Sequence, residues 1–161
     1  MTMDEPRDAA TRRRDLLARL EDDKDAWVAT ASSAGEPCLV PLAFYWDGSF
    51  IYVATRSTNP TGRNIQATGK ARLAVGHTRD VGSIDATAQE LTSVDAEKRC
   101  AVAYASKSGW DPRQRKGYVF FALEPQRVEA WRELNELSDR VLMKDGEWRP
   151  DALDDRSGPA N

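Results

Sequence analysis

The chain has 161 residues, 40% of them hydrophobic and 30% charged, with a formal net charge of −3 at pH 7. That length favours one domain around one core, large enough to stand without a disulfide or metal staple. The acidic balance argues against general nucleic-acid binding, and no apolar run approaches the roughly 20 residues of a membrane span.

The opening residues, MTMDEPRDAATRRRDLLARL, lack the apolar stretch of a secretory signal, so a cytoplasmic location is expected. TRRRDLLARLEDD reads as a first helix, with Leu16, Leu17 and Leu20 at helical spacing and the arginines on a solvated face. The period then changes. AWVATAS, PCLVPLAFYW, SFIYVAT, KARLAVGHT and VGSIDATAQEL are strand-length runs rich in β-branched and aromatic residues. SAGE separates the first two, and Asp47-Gly48 gives the second hairpin its turn. In the second run Cys38, Val40, Leu42, Phe44 and Trp46 share one face, while Leu39, Pro41, Ala43 and Tyr45 share the other. Both faces are apolar, so one fills an interior and the other is left for a partner or a flat ligand.

SVDAEKRCAVAYAS is expected to be one helix capped by Ser93. Trp110, in the polar loop SKSGWDPRQRKG, needs cover from the chain's own barrel, a second subunit or a ligand. KGYVFFALEP and QRVEAWRE read as two strands with Pro125 at the bend between them, and the polar tail from Asp151, residues 151–161, reads as disordered. The sum is a mainly β chain with a few helices. It forms a single domain over residues 1–150, arranged as a closed or nearly closed antiparallel barrel.

Cys38 and Cys100 form no CxxC, and Cys38 reads as small core filler. His77 is the only histidine and has no metal-ligand pattern around it. Between Asp47 and Asp80 there is no acidic residue, yet Arg56, Arg63, Lys70, Arg72 and Arg79 all fall there. The segment carries +5, leaving −8 on the rest of the chain. Such a zone suits a discrete anionic ligand or a plain water-facing surface. The stretch VATRSTNPTGRN sharpens the first reading. Pro60 suits the first position of a helix and Asn59 its cap, with Gly62 allowing close approach to backbone amides. Arg56 and Arg63 can clamp an anion from two sides, and Ser57, Thr58 and Thr61 add hydroxyls; phosphate fits best. There is no GxGxxG and no GxxxxGK[ST]. Asp80 and Asp85 fall near a hairpin, and no residue set makes an acid–base or nucleophilic engine. Any redox chemistry would therefore reside in a bound cofactor.

WVATASSAGEPCLVPLAFYWDGSFIYVAT followed by STNPTGRNIQATGKARLAV resembles the pyridoxamine-phosphate-oxidase-like flavin proteins, and more narrowly their actinobacterial flavin- and deazaflavin-dependent branch. The resemblance implies a split β-barrel that forms a homodimer, with coenzyme F420 or FMN in a groove between subunits. It places the ring system on Val40, Pro41 and Leu42, and the phosphate on Thr55, Arg56, Ser57, Thr61, Arg63 and Asn64. It implies an oxidoreductase that passes hydride to a small conjugated electron acceptor, with no nucleic-acid or membrane partner. The alternative is a non-catalytic carrier or sensor that keeps the barrel and the groove. One departure stands out: relatives often carry lysine two residues before the Arg-Asn pair, where this chain has Thr61. A neutral hydroxyl there gives up about 1–2 kcal/mol of charge-assisted attraction.

Overall fold

Period-2 runs that bury one face close on themselves here. The structure, a computed structural model, describes residues 3–153. Helix α1 (Ala9–Asp22) precedes strands β1 (Asp25–Ala31), β2 (Pro37–Trp46) and β3 (Ile51–Arg56). Helix α2 (Pro60–Thr68), strands β4 (Lys70–His77) and β5 (Asp80–Glu90), and helices α3 (Ser93–Arg99) and α4 (Ala101–Ser108) follow. The chain ends with strand β6 (Tyr118–Trp131), the short helix α5 (Leu134–Leu137), and strands β7 (Val141–Lys144) and β8 (Glu147–Trp148).

The strands are antiparallel in the order β3-β2-β1-β4-β5-β6-β7-β8, and a further β3–β6 pairing closes the first six into a barrel. Val28, Phe44, Ile51, Val53, Leu73, Ile84, Phe121 and Leu123 fill its interior. A second cluster, of Tyr52, Ala54, Tyr104 and Phe120, lies where α3 and α4 cover the outside of β3 and β6. Full closure removes the sheet edges that short strands would otherwise expose. Both expected hairpins form: Ser32 N–H donates to Glu36 O at 3.0 Å, and Asp47 N–H to Phe50 O at 3.1 Å.

Four expectations are corrected. KGYVFFALEP and QRVEAWRE are not two strands but the single 14-residue β6. Pro125 pairs with Ala86 and Arg127 with Asp85, so Gln126 is an extra residue that bulges out. A bulge is a position where a strand tolerates proline, which has no N–H to offer. Next, the expected single helix breaks at Cys100 (φ −149°, ψ −23°), and its cap is Thr92, whose hydroxyl accepts from Asp95 N–H at 3.1 Å. Cys100 itself is core, and burial pushes its thiol up to about 11. Third, the arginines of α1 do not all face water. Arg12 is 1% exposed; its Nη1 donates to Asp139 O at 2.6 Å and Ala130 O at 3.2 Å, and its Nη2 to Asp139 Oδ2 at 2.7 Å. Finally, the tail is structured at its start, because a 3₁₀ turn at Pro150–Ala152 buries Ala152 in the core. The rest of it, residues 154–161, lies outside the described residues.

Trp110 is covered by its own chain. Its ring meets the edges of Tyr118 at 5.3 Å and Tyr104 at 6.2 Å between centroids. Among the described residues no helix is long and apolar enough to cross a membrane.

Candidate functional site

The junction of β3 and α2 is built by packing before it is built by charge. Asn59 is extended and does not cap α2 through its side chain, which donates instead to the buried Thr55 Oγ1 at 3.2 Å. Thr61 is 2% exposed, with its hydroxyl 3.6 Å from the Cys38 sulfur. Asn64 is buried and donates to Thr30 Oγ1 inside the barrel at 3.1 Å. Thr55, Thr61 and Asn64 therefore fasten the helix to the barrel wall, while the first turn of α2 keeps its backbone amides free of a side-chain cap.

Gly62 explains how closely the two elements meet. A Cβ at this position would lie 2.5 Å from Arg56 O and 3.1 Å from Ser57 Cα. The glycine is thus required by backbone packing, a role separate from the anion approach expected of it. Gly62→Ala should push α2 off the end of β3 and lower stability by about 1–3 kcal/mol, read as a shift in urea midpoint at unchanged slope. A shift below about 0.5 kcal/mol would show that the junction has slack.

Arg63 is exposed and lines a cavity of about 380 Å³ with Ser33, Glu36, Cys38, Pro60 and Asn64. Among the described residues its guanidinium forms no ion pair. Cys38 is therefore half-exposed at this wall and not the core filler that strand periodicity suggested. Arg56 points elsewhere: its guanidinium lies 5.5 Å over the Tyr118 ring, and the neighbouring Ser57 N–H donates to Gly117 O at 3.1 Å. The two arginines expected to form one clamp flank opposite sides of the helix start, and only Arg63 lines the cavity.

The β2 residues also divide. Val40 pairs with the fully buried Val28 and Leu42 with the buried Ala26, so both turn inward. Pro41 pairs with Trp27, and Leu39 with Ala29, on the outward face. That face is apolar and open, with Trp27 51% and Leu39 62% exposed. Asp80 and Asp85 are both held in ion pairs: Asp80 binds Arg7 and Arg19, and Asp85 takes both Nε and Nη2 of Arg72. His77 sits at the exposed β4–β5 turn, where its Nδ1 accepts from Arg79 N–H at 3.3 Å.

The family model for pyridoxamine 5'-phosphate oxidase matches residues 14–132, more than half of the chain, and the chain belongs to that family. Solved structures share the barrel. PhzG from Burkholderia lata 383, determined with tetrahydrophenazine-1-carboxylic acid, is 23% identical with a TM-score of 0.58, covering 84% of this chain and 83% of its own. A structure described as an F420 reductase is 16% identical with a TM-score of 0.58, over 69% and 93% of the two chains. The conserved hypothetical protein Rv2991 from Mycobacterium tuberculosis is 14% identical with a TM-score of 0.64, over 84% and 88%. At these identities the likeness is one of fold. No curated protein matches the sequence.

Proposed function

We propose that this chain is an FMN- or coenzyme F420-dependent oxidoreductase of the family's actinobacterial branch, acting in the cytoplasm as a homodimer on a small conjugated electron acceptor. The observation that carries this reading is Arg63: a guanidinium with no ion pair among the described residues, in a cavity along the first turns of α2, beside an open apolar face of β1 and β2. Family membership and neighbours such as the F420 reductase and PhzG support it. Both cysteines are free thiols, which suits a reducing compartment.

The residues present fit a phosphate. Arg63 would hold it from the flank of α2, with Ser33 contributing a hydroxyl from the β1–β2 turn. When bound, the flavin or deazaflavin supplies hydride chemistry. The chain's part is placement. Pro41, Leu39 and Trp27 give a flat apolar bed, and a second copy laid on that face would exclude water from it. Titration with FMN and with F420, followed by cofactor fluorescence, is expected to show saturable binding of one of them. No binding of either at roughly tens of micromolar, about 6–7 kcal/mol, would overturn the reading.

One observation favours the second reading, a carrier or sensor without turnover. Among the described residues the cavity is lined by no lysine and no histidine, and Arg63 shares its walls with Glu36. Binding without reduction of a quinone or nitroaromatic acceptor is the outcome that would select it.

A further inference from the structure

A larger cavity, of about 610 Å³, lies along β1, β4 and β5 and shares no lining residue with the Arg63 cavity. Ala29 and Ala31 line it from β1, Lys70 and Arg72 from β4, and Thr87 and the bulged Gln126 from the far side. Lys70 and Arg72 are two residues apart on one strand and both exposed, so they project to the same side about 7 Å apart. Lys70 pairs in register with Thr87, and Arg72 with Ala29 on one side and Asp85 on the other.

The two cations differ in their preparation. Asp85 grips Arg72 through Nε and Nη2, a fork that fixes the guanidinium plane and leaves Nη1 without a hydrogen bond among the described residues. Lys70's ammonium has no ion pair among them at all. Lys70 and Arg72 against Asp85 leave one positive charge on the groove. Further out on this face Glu124 stands opposite Thr87, Arg127 and Arg140 both bind Glu129, and Asp25 lies at the other end of β1 from Ala29 and Ala31. An apolar floor of methyl groups beside one net positive charge among the lining side chains, with one guanidinium edge left unoccupied, is complementary to a flat ring that carries a single negative charge.

We propose that this groove is a binding site for a planar aromatic monoanion, its ring on Ala29 and Ala31 and its carboxylate between Lys70 and the free edge of Arg72. The groove shares no lining residue with the Arg63 cavity, but it borders the proposed cofactor bed, since Ala29 pairs with Leu39 and Thr30 accepts from Asn64, and the FMN affinity of Lys70→Glu separates the two.

Calorimetric titration of the whole protein with 2-naphthoate tests it, with the neutral 2-naphthalenemethanol as comparison. Wild-type protein is expected to bind 2-naphthoate saturably and the alcohol about tenfold more weakly, the loss of one charge-assisted contact. Lys70→Glu should weaken 2-naphthoate by about tenfold or more, and Thr87→Trp, which fills the groove from an exposed strand position, should abolish it. Equal affinity for acid and alcohol, or unchanged binding in both variants, would overturn the proposal. So would a parallel fall in FMN affinity in Lys70→Glu, which would assign the groove to the cofactor.

Discussion

Glu136→Ala is expected to destabilise the protein by about 3 kcal/mol, the cost of stranding a buried charge. Glu136 is 2% exposed, and four donors converge on it. Its Oε1 accepts from the Arg7 backbone N–H at 2.8 Å and from Arg7 Nε at 3.0 Å. Its Oε2 accepts from Arg7 Nη2 at 2.8 Å and from the Arg132 backbone N–H at 2.7 Å. The change would leave Arg7, itself largely buried, with Asp15 and Asp80 as its ion-pair partners among the described residues. Urea unfolding measures the loss, and a change under about 1 kcal/mol would show that those two carboxylates suffice. The same group sets an acid limit. Burial alone would raise the Glu136 carboxyl, but the bonds from Arg7 and Arg132 overcome this and hold it at about 2, against an ordinary 4.5. The native carboxylate therefore takes up a proton less readily than the unfolded one. Its stabilisation is complete above pH 4.5 and is lost as pH falls from there through 2. Melting temperature should drop over that window in the wild type and drop less steeply in Glu136→Gln.

Arg63→Ala should weaken FMN binding by about 10- to 100-fold, since a charge-assisted contact to phosphate contributes about 1.5–3 kcal/mol. Arg56→Ala should change it by less than about threefold, because that guanidinium lies over Tyr118 and outside the cavity. Glu36→Gln, which removes the negative charge from the same walls, should tighten binding a few-fold. Equal losses from the two arginine variants would move the phosphate to the Tyr118 side of α2 and refute the Arg63 corner. Fluorescence titration of the three variants side by side reads all of these outcomes.

The barrel was legible because alternation along β1 to β5 is local and both early turns carry their own chemistry. What escaped reading was set by tertiary contact. Nothing within KGYVFFALEPQRVEAW separates a bend at Pro125 from a bulge beside it; the choice is made by β5, against which the whole stretch is aligned. Arg12 reads as surface because its burial depends on carbonyls of Ala130 and Asp139, more than a hundred residues away. At the site, the junction's polarity was visible but its direction was not. Thr55, Thr61 and Asn64 look like ligand donors in a string of hydroxyls and amides, yet the partners that turn them inward, Asn59, Cys38 and Thr30, come largely from other elements. The half-exposed setting of Cys38 had one available signal: the β1–β2 turn leaves the first residues of β2 beyond the barrel's filled interior.

The pairing of β3 with β6 sets an order of assembly. Its partners, from Ile51–Leu123 to Arg56–Tyr118, lie between 62 and 72 residues apart along the chain, whereas the β1–β2 and β4–β5 ladders are joined by short turns. Looping that much polypeptide is entropically costly before any contact rewards it, so the hairpins should zip early and the seam last. Until it does, the hydrogen-bonding margins of Ile51–Arg56 and Tyr118–Leu123 remain open to a neighbouring molecule, which makes the interval before the seam forms the period of greatest aggregation risk during refolding.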